Sequence, residues 1–218
     1  VNVDDIKEMS ILKDASATAI YGVRGANGVV MITTRDGEVG KPRVSLSVEG
    51  GLVSPTKVPS MLNSVQFADM YNQAAGSKYY DDNAIALYRN GSDPDLYPNV
   101  DWLGELYKNY SWNEKVNLSV SGGGDIAKYY ISGSFYNEDG LFAVDNMKNY
   151  DTSLTYQRYN FRSNVDVQIF PHTKLNINLG TSFERKNEPG GDTKKVWEYA
   201  LSTAPNAFPL FYSDGSLA

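Results

Sequence analysis

The chain has 218 residues, a formal net charge of −6 at pH 7 and a hydrophobic share of only 41%. This share is low for a protein that fills a three-dimensional core, but it suits a thin sheet with one apolar and one polar face. The sequence has no cysteine and one histidine, which excludes disulfides, thiolate metal sites and multi-histidine sites. The acidic excess, without a Lys/Arg cluster, argues against nucleic acid as a partner.

Residues 1–40 are predicted to be one unit. Its segments are a strand at 6–13, a short alanine-rich helix at 15–21 and a β-branched strand at 29–34, followed by a linker at 37–42. Gly22, Gly25 and Gly28 lie between the helix and the second strand, where glycine permits tight turns. Their spacing does not match a dinucleotide or phosphate loop, so nucleotide binding is not predicted.

Strict alternation of apolar and polar residues begins at Arg43 and predicts half-buried strands. The five strands are predicted at 43–51, 115–123, 128–137, 161–169 and 175–184. Each is close to the roughly 9 to 11 residues that a tilted strand needs to cross a bilayer. A soluble β-sandwich, which also alternates apolar and polar residues, is the alternative.

The connections between these strands alternate between short and long. The short turns are 124–127 and 171–172, and the long connections are 52–114, 138–160 and the segment after Arg185. Outer-membrane barrels have short periplasmic turns and long extracellular loops, so this alternation favours a barrel. Helices are predicted in the first long connection at 64–75, 82–89 and 101–107, the last two opened by Asp82 and Asp101.

Residues 11–34, ILKDASATAIYGVRGANGVVMITT, closely resemble the plug of the SusC/RagA family of TonB-dependent transporters. Parts of 90–102 and residues 116–123 resemble that family's first extracellular loop and second strand. The resemblance implies a mainly β fold: a partial transmembrane antiparallel β-barrel with part of an α+β plug domain and a helical extracellular loop. Residues 1–40 would be the C-terminal part of the plug, and 41–218 the first strands and extracellular loops. Plugged transporters have about 22 strands, so these five could not close a barrel alone.

The function that this resemblance implies is TonB-dependent import of a large nutrient, an oligosaccharide, across the bacterial outer membrane. The implied partners are outer-membrane lipid, a SusD-like lipoprotein lid, and TonB through a region that this chain does not contain. Import of a peptide or a metal chelate by the same mechanism is an alternative. Rivals from other classes are a carbohydrate-binding β-sandwich that does not transport and an outer-membrane enzyme with a small barrel. Since no serine and carboxylate constellation surrounds His172, no catalytic residue is predicted.

A polar latch is predicted to hold the plug in the barrel. Arg24 lies between glycines of the plug-like segment, and its guanidinium can pair with barrel carboxylates. Glu49, Asp166 and Glu184 are the lumen-facing candidates. The alternative is that Arg24 is exposed and solvated.

Four aromatic residues are predicted to contact ligand, because an aromatic ring stacks on the apolar face of a pyranose. They are Trp102, Tyr107, Tyr110 and Trp112. Alternatively, the rings pack the loop's own core or touch a lid protein.

No metal site or other cofactor is predicted, although calcium remains open at two oxygen-rich clusters. These clusters are Asp81, Asp82 and Asn83, and Asp93, Asp95 and Asp101. Helix capping and solvation are the alternative roles of these residues.

Overall fold

The computed structural model describes residues 1–13, 21–22, 25, 27–143 and 153–218. They divide into two compact units. The sheet unit comprises Val1–Gly51, Trp112–Glu138 and Thr155–Lys186. The loop unit comprises Leu52–Ser111, Asp139–Leu154 and Asn187–Ala218.

The sheet unit begins with a 3-10 turn, Val3–Asp5, and an antiparallel hairpin of β1 (Ile6–Leu12) and β2 (Val29–Thr34). The register runs from Ile6 opposite Thr34 to Leu12 opposite Val29, with a bulge between Ile6 and Glu8. We call Asn2, the turn, the two strands and Arg35 the N-terminal hairpin. Both strands predicted for residues 1–40 are confirmed, whereas the helix predicted at 15–21 falls almost entirely outside the described residues.

The rest of the sheet unit is one five-stranded sheet, which we call the wall. Its strands are β3 (Gly40–Val53), β4 (Ser111–Gly123), β5 (Ala127–Asp139), β6 (Thr155–Phe170) and β7 (Thr173–Asn187), in the order β3-β4-β5-β6-β7. All five predicted strands are confirmed. Each has 13 to 16 residues, which is more than the roughly 9 to 11 needed to cross a bilayer. A bond from Gly124 N to Ala127 O, 2.8 Å long, closes the predicted turn between β4 and β5.

The polarity of the wall is the reverse of that in a soluble sheet. Polar side chains are buried, among them Asn117 (7% exposed), Ser132 (4%) and Asn164 (3%). Apolar side chains of the opposite face are exposed, among them Val44 (66%), Leu46 (66%) and Val48 (70%). Leu118 and Ile177 remain 47% and 40% exposed, whereas a sandwich would bury them between two sheets. The sandwich alternative is therefore wrong, and the exposed face has the character of a lipid-facing one.

The loop unit contains the helices. They are α1 (Ser64–Ala75), α2 (Asp82–Asn90), α3 (Trp102–Leu106) and α4 (Thr193–Ser202). The three predicted helices are confirmed, but Asp81 rather than Asp82 caps α2, since the Asp81 side chain accepts from Ala84 N. Asp101 caps α3 as predicted. α4 was not predicted, and its Ala200 packs with Trp102 and Leu103 in the core of the unit.

No helix in the described ranges is both long and apolar enough to cross a membrane.

Candidate functional site

The carboxylate of Asp5 is the centre of a polar contact between the N-terminal hairpin and the wall. Asp5 is only 2% exposed. Its Oδ1 accepts hydrogen bonds from the Tyr130 hydroxyl at 2.9 Å and the Ser132 hydroxyl at 2.5 Å. Its Oδ2 lies 3.4 Å from Arg162 Nε. Tyr130 and Ser132 are two apart on β5, so both face the hairpin, and β6 supplies the cation. The buried charge is thus both paired and hydrogen-bonded.

A second ion pair lies beside the first. Asp4 Oδ2 is 2.7 Å from Lys115 Nζ, and these side chains are 27% and 24% exposed. Lys115 also lies 3.6 Å from Glu49 Oε1, whose side chain is 60% exposed. The Asp4 contact is partly shielded from water, whereas the Glu49 contact is largely solvated and correspondingly weak.

Two asparagines of the wall complete the contact. Asn2 Nδ2 donates to Asn117 Oδ1 at 3.2 Å. Asn164 Nδ2 donates to Thr34 Oγ1 at 3.0 Å and to the Arg35 carbonyl at 2.7 Å. The wall therefore binds the hairpin both before β1 and at the end of β2.

These contacts form one site, which we call the hairpin–wall site. On the hairpin it consists of Asn2, Asp4, Asp5, Thr34 and Arg35, and on the wall of Lys115, Asn117, Tyr130, Ser132, Arg162 and Asn164. A backbone hydrogen bond from Arg35 N to Asp5 O, 2.8 Å long, joins the end of β2 to the turn before β1.

The segment after β2 also approaches the wall closely. A Cβ added at Gly37 would collide with the backbone of Lys128 and Tyr129 on β5. Glycine is needed here because of this approach rather than because of its backbone angles.

Of the predicted latch residues, one lies beside this site. Glu49 reaches it through Lys115. Asp166 lines a cavity of about 190 Å³ with Lys128 and Lys174, and Glu184 lies on β7, all within the wall. Arg24 lies outside the described residues. A latch formed by these four residues stays a prediction.

Sequence reasoning missed Asp4 and Asp5. The available signal was an acidic pair immediately before a predicted strand, in the same predicted unit as the plug-like segment. The partners of that pair come from strands more than 100 residues away, so no local pattern indicated them.

Trp102 and Tyr107 lie within the packing of the loop unit. Trp102 is 9% exposed, its Nε1 donates to Ala204 O at 3.1 Å, and its ring lies 4.9 Å from that of Phe208. The Tyr107 ring lies 5.0 Å from Phe142 and 5.4 Å from Trp197. Burial raises the pKa of the Tyr107 hydroxyl. Both rings contribute to the unit's own packing.

Tyr110 and Trp112 are more accessible. Tyr110, in the loop unit, is 63% exposed. Trp112, in the sheet unit, is 50% exposed and lies across Gly50, where an added Cβ would be 2.7 Å from the indole ring. Ligand contact by the four predicted aromatic residues stays a prediction.

The oxygen-rich clusters have structural contacts. Asp81 and Asp101 cap helices, and Asp82 pairs with Lys78 at 2.8 Å. Asp93 accepts from Leu96 N, and Asp95 accepts from Ser213. Within the described ranges, no group of three or more His, Asp or Glu side chains is arranged to hold a metal ion.

Comparison with known proteins places this geometry in a family, although no family model matches the chain. "TonB-dependent receptor P3" of Formosa agariphila is 37% identical over 80% of this chain and 15% of that receptor. "TonB-dependent receptor SusC" of Bacteroides thetaiotaomicron is 29% identical over 82% of this chain and 16% of that receptor. The RagAB peptide importer in its closed-closed state superposes on the whole chain, with a TM-score of 0.71 and 26% identity, over 26% of its own chain.

The chain belongs to the SusC/RagA family of TonB-dependent receptors. The resemblance from residues 11–34 and the predicted fold class are both confirmed. The SusC/RagA relatives are receptors and importers, which agrees with the prediction that the protein is not an enzyme. The chain spans only 15% to 16% of the two curated receptors' length.

Proposed function

We propose that the complete protein imports a large nutrient, an oligosaccharide, across the bacterial outer membrane in a TonB-dependent step. The observation that supports this most strongly is the hairpin–wall site. It attaches a plug-like hairpin to the polar face of a sheet whose opposite face is apolar and exposed. In this proposal the hairpin is the last part of the plug, the wall is the first part of the barrel, and a SusD-like lipoprotein covers the outer opening.

The chemistry of the site suits a plug that must move. Hydrogen bonds and ion pairs can be exchanged for contacts with water, so the net cost of releasing each one is small. A large apolar interface would instead resist release in a wet lumen. Asp5 would hold the resting plug, and a pull transmitted by TonB would let water replace the weaker contacts. We include Arg24 as a second latch, with Asp166 or Glu184 as its partner.

The oligosaccharide is supported by exposed aromatic rings, among them Tyr110 and Trp112. A peptide is the second candidate, because the chain shares its fold and 26% of its residues with the RagAB peptide importer. A metal chelate would use the same energised step.

Uptake by cells with and without the gene for the complete protein tests this function. The probes are fluorescently labelled maltoheptaose and xylohexaose, with a labelled casein digest for peptides. We expect uptake that requires the gene and stops when a protonophore collapses the inner-membrane gradient. Uptake that survives the protonophore contradicts energised import, and gene-dependent uptake of the casein digest alone selects the peptide.

A further inference from the structure

The loop unit contains a compact cluster of three tyrosines, which we call the tyrosine cluster: Tyr71, Tyr79 and Tyr80. The ring centroids are 5.1 Å apart for Tyr71–Tyr79, 5.7 Å for Tyr71–Tyr80 and 5.1 Å for Tyr79–Tyr80. The planes are inclined at 55°, 81° and 76° respectively. These distances and angles are favourable for aromatic pairs, so each ring supports the other two.

The cluster is fixed to the helices beneath it. The Asn72 side chain of α1 forms two hydrogen bonds with the backbone of Tyr80. It accepts from the Tyr80 N–H at 2.9 Å and donates to the Tyr80 carbonyl at 2.7 Å. The Tyr80 ring in turn lies 6.1 Å from that of Tyr88, which is only 8% exposed, and Tyr88 packs on Tyr97 at 5.4 Å. The connection between α1 and α2 is therefore held by both backbone and ring contacts.

Two rings of this fixed cluster are open to solvent. Tyr79 is 70% exposed and Tyr71 is 44% exposed. Neither hydroxyl has a hydrogen-bond partner among the described residues. A rigid exposed ring binds a ligand with little loss of side-chain entropy, because its neighbours have already fixed its orientation.

The charges next to the cluster disfavour an anionic ligand. Lys78 pairs with Asp82 at 2.8 Å, and this hydrogen bond raises the pKa of the Lys78 ammonium. Asp81 is a second carboxylate close to Lys78, and its side chain accepts a hydrogen bond from Ala84 N. The local charge is therefore negative, which suits a neutral ligand better than a sulfated or uronic one.

We propose that Tyr79 and Tyr71 form a surface binding site for a neutral pyranose unit, which stacks on the Tyr79 ring and contacts the tyrosine hydroxyls. This rests on the proposed function, since it assigns part of the oligosaccharide's binding to the loop unit. A stable protein interface buries about 800 Å² on each partner. A tyrosine side chain buries about 150–250 Å² in all, so the two partly exposed rings offer a smaller contact, which suits one sugar ring.

Binding to the purified complete protein in detergent, measured by isothermal titration calorimetry, tests the site. The probes are maltoheptaose, xylohexaose, laminarihexaose and mannohexaose, with sulfated dextran as the anionic comparison. We expect Tyr79→Ala to weaken binding of at least one neutral probe about tenfold, and Tyr79→Phe to retain most of the affinity because it keeps the ring. Tyr199→Ala is the matched control, since Tyr199 is 66% exposed on α4 but lies outside the cluster.

Equal affinity of Tyr79→Ala and the unchanged protein for every neutral probe overturns the site. So does Tyr79→Ala losing a co-purifying lipoprotein while sugar affinity is unchanged, because the cluster would then be a protein-docking surface. Binding is measured without an energised membrane, so its outcome is independent of import. Tyr79-dependent binding combined with protonophore-resistant uptake would reject energised import and keep the site.

Discussion

Asp5 and Arg162 form a buried ion pair between the N-terminal hairpin and the wall, with side chains only 3% and 16% exposed. The pair joins residues more than 150 positions apart in the chain. Tyr130 and Ser132 donate to the same carboxylate, so one side chain of the hairpin accepts two hydrogen bonds from the wall and also pairs with a cation of the wall. The seating of the hairpin therefore depends strongly on one residue.

Asp5→Ala should destabilise this contact severely. It leaves Arg162 without its carboxylate and removes the acceptor of two hydroxyls, and breaking a buried pair in this way costs about 3–5 kcal/mol. Denaturant unfolding of the purified complete protein measures the loss of unfolding free energy. Limited proteolysis of the native protein shows separately whether residues 1–13 become accessible. Glu49→Ala, at the 60% exposed end of the neighbouring ion pair, is the control and should cost less than about 1 kcal/mol. Similar losses in the two variants would contradict the central role of Asp5.

Asn164→Leu should loosen the end of β2. The substitution removes the donor to Thr34 and to the Arg35 carbonyl, and each hydrogen bond lost costs about 0.5–1.5 kcal/mol net. Amide hydrogen exchange of residues 29–35 should become faster. Asn176→Leu on the exposed strand β7 should leave this exchange unchanged. Unchanged exchange in Asn164→Leu would show that the hairpin is held without this contact.

Gly37→Ala should displace the segment after β2, although alanine adds only one carbon. The new methyl group would collide with the β5 backbone at Tyr129, which cannot yield as a flexible side chain could. Faster proteolysis near residues 36–40 is the expected result. Gly124→Ala is the matched control, because nothing lies within 4 Å of a Cβ there. Identical digestion patterns for the two variants would argue against the close approach.

The packing around Tyr107 should weaken at alkaline pH. Burial favours the neutral hydroxyl and raises its pKa above the ordinary value of 10.0. Its contribution to stability is therefore complete below pH 10 and is lost as the pH rises through the raised pKa. Thermal unfolding of the complete protein as a function of pH measures this loss, which Tyr107→Phe should reduce because phenylalanine cannot ionise. An equal alkaline loss in Tyr107→Phe would assign the effect to other groups.

The strands could be predicted from sequence because their signal is local. Alternation with a period of two identifies a two-faced strand wherever it lies, and the run from Val44 to Val48 shows it without reference to any partner. The aspartate caps are local signals in the same way. The sequence pattern does not distinguish between the adjacent Asp81 and Asp82 as the capping residue of α2. α4 was missed because the partners of its apolar residues, among them Trp197 and Ala200, lie in a helix far away in the chain.

The sites were harder because they depend on distant partners. Trp102 is predicted to contact ligand by residue type, yet Ala204 and Phe208 surround it from the other end of the chain. Asp5 belongs to an acidic pair before a predicted strand, but exposed acids can occupy such a position too. Only the folded sheet brings Tyr130 and Arg162 to it.

The short 3-10 turn that precedes β1 touches three adjacent strands at once, through Lys115 on β4, Tyr130 on β5 and Arg162 on β6. A rotation of the hairpin by one strand spacing would bring every one of these groups opposite the wrong neighbour. The turn therefore fits the wall in one orientation only. A displaced hairpin must return to that orientation before Asp4 and Asp5 can pair again with Lys115 and Arg162.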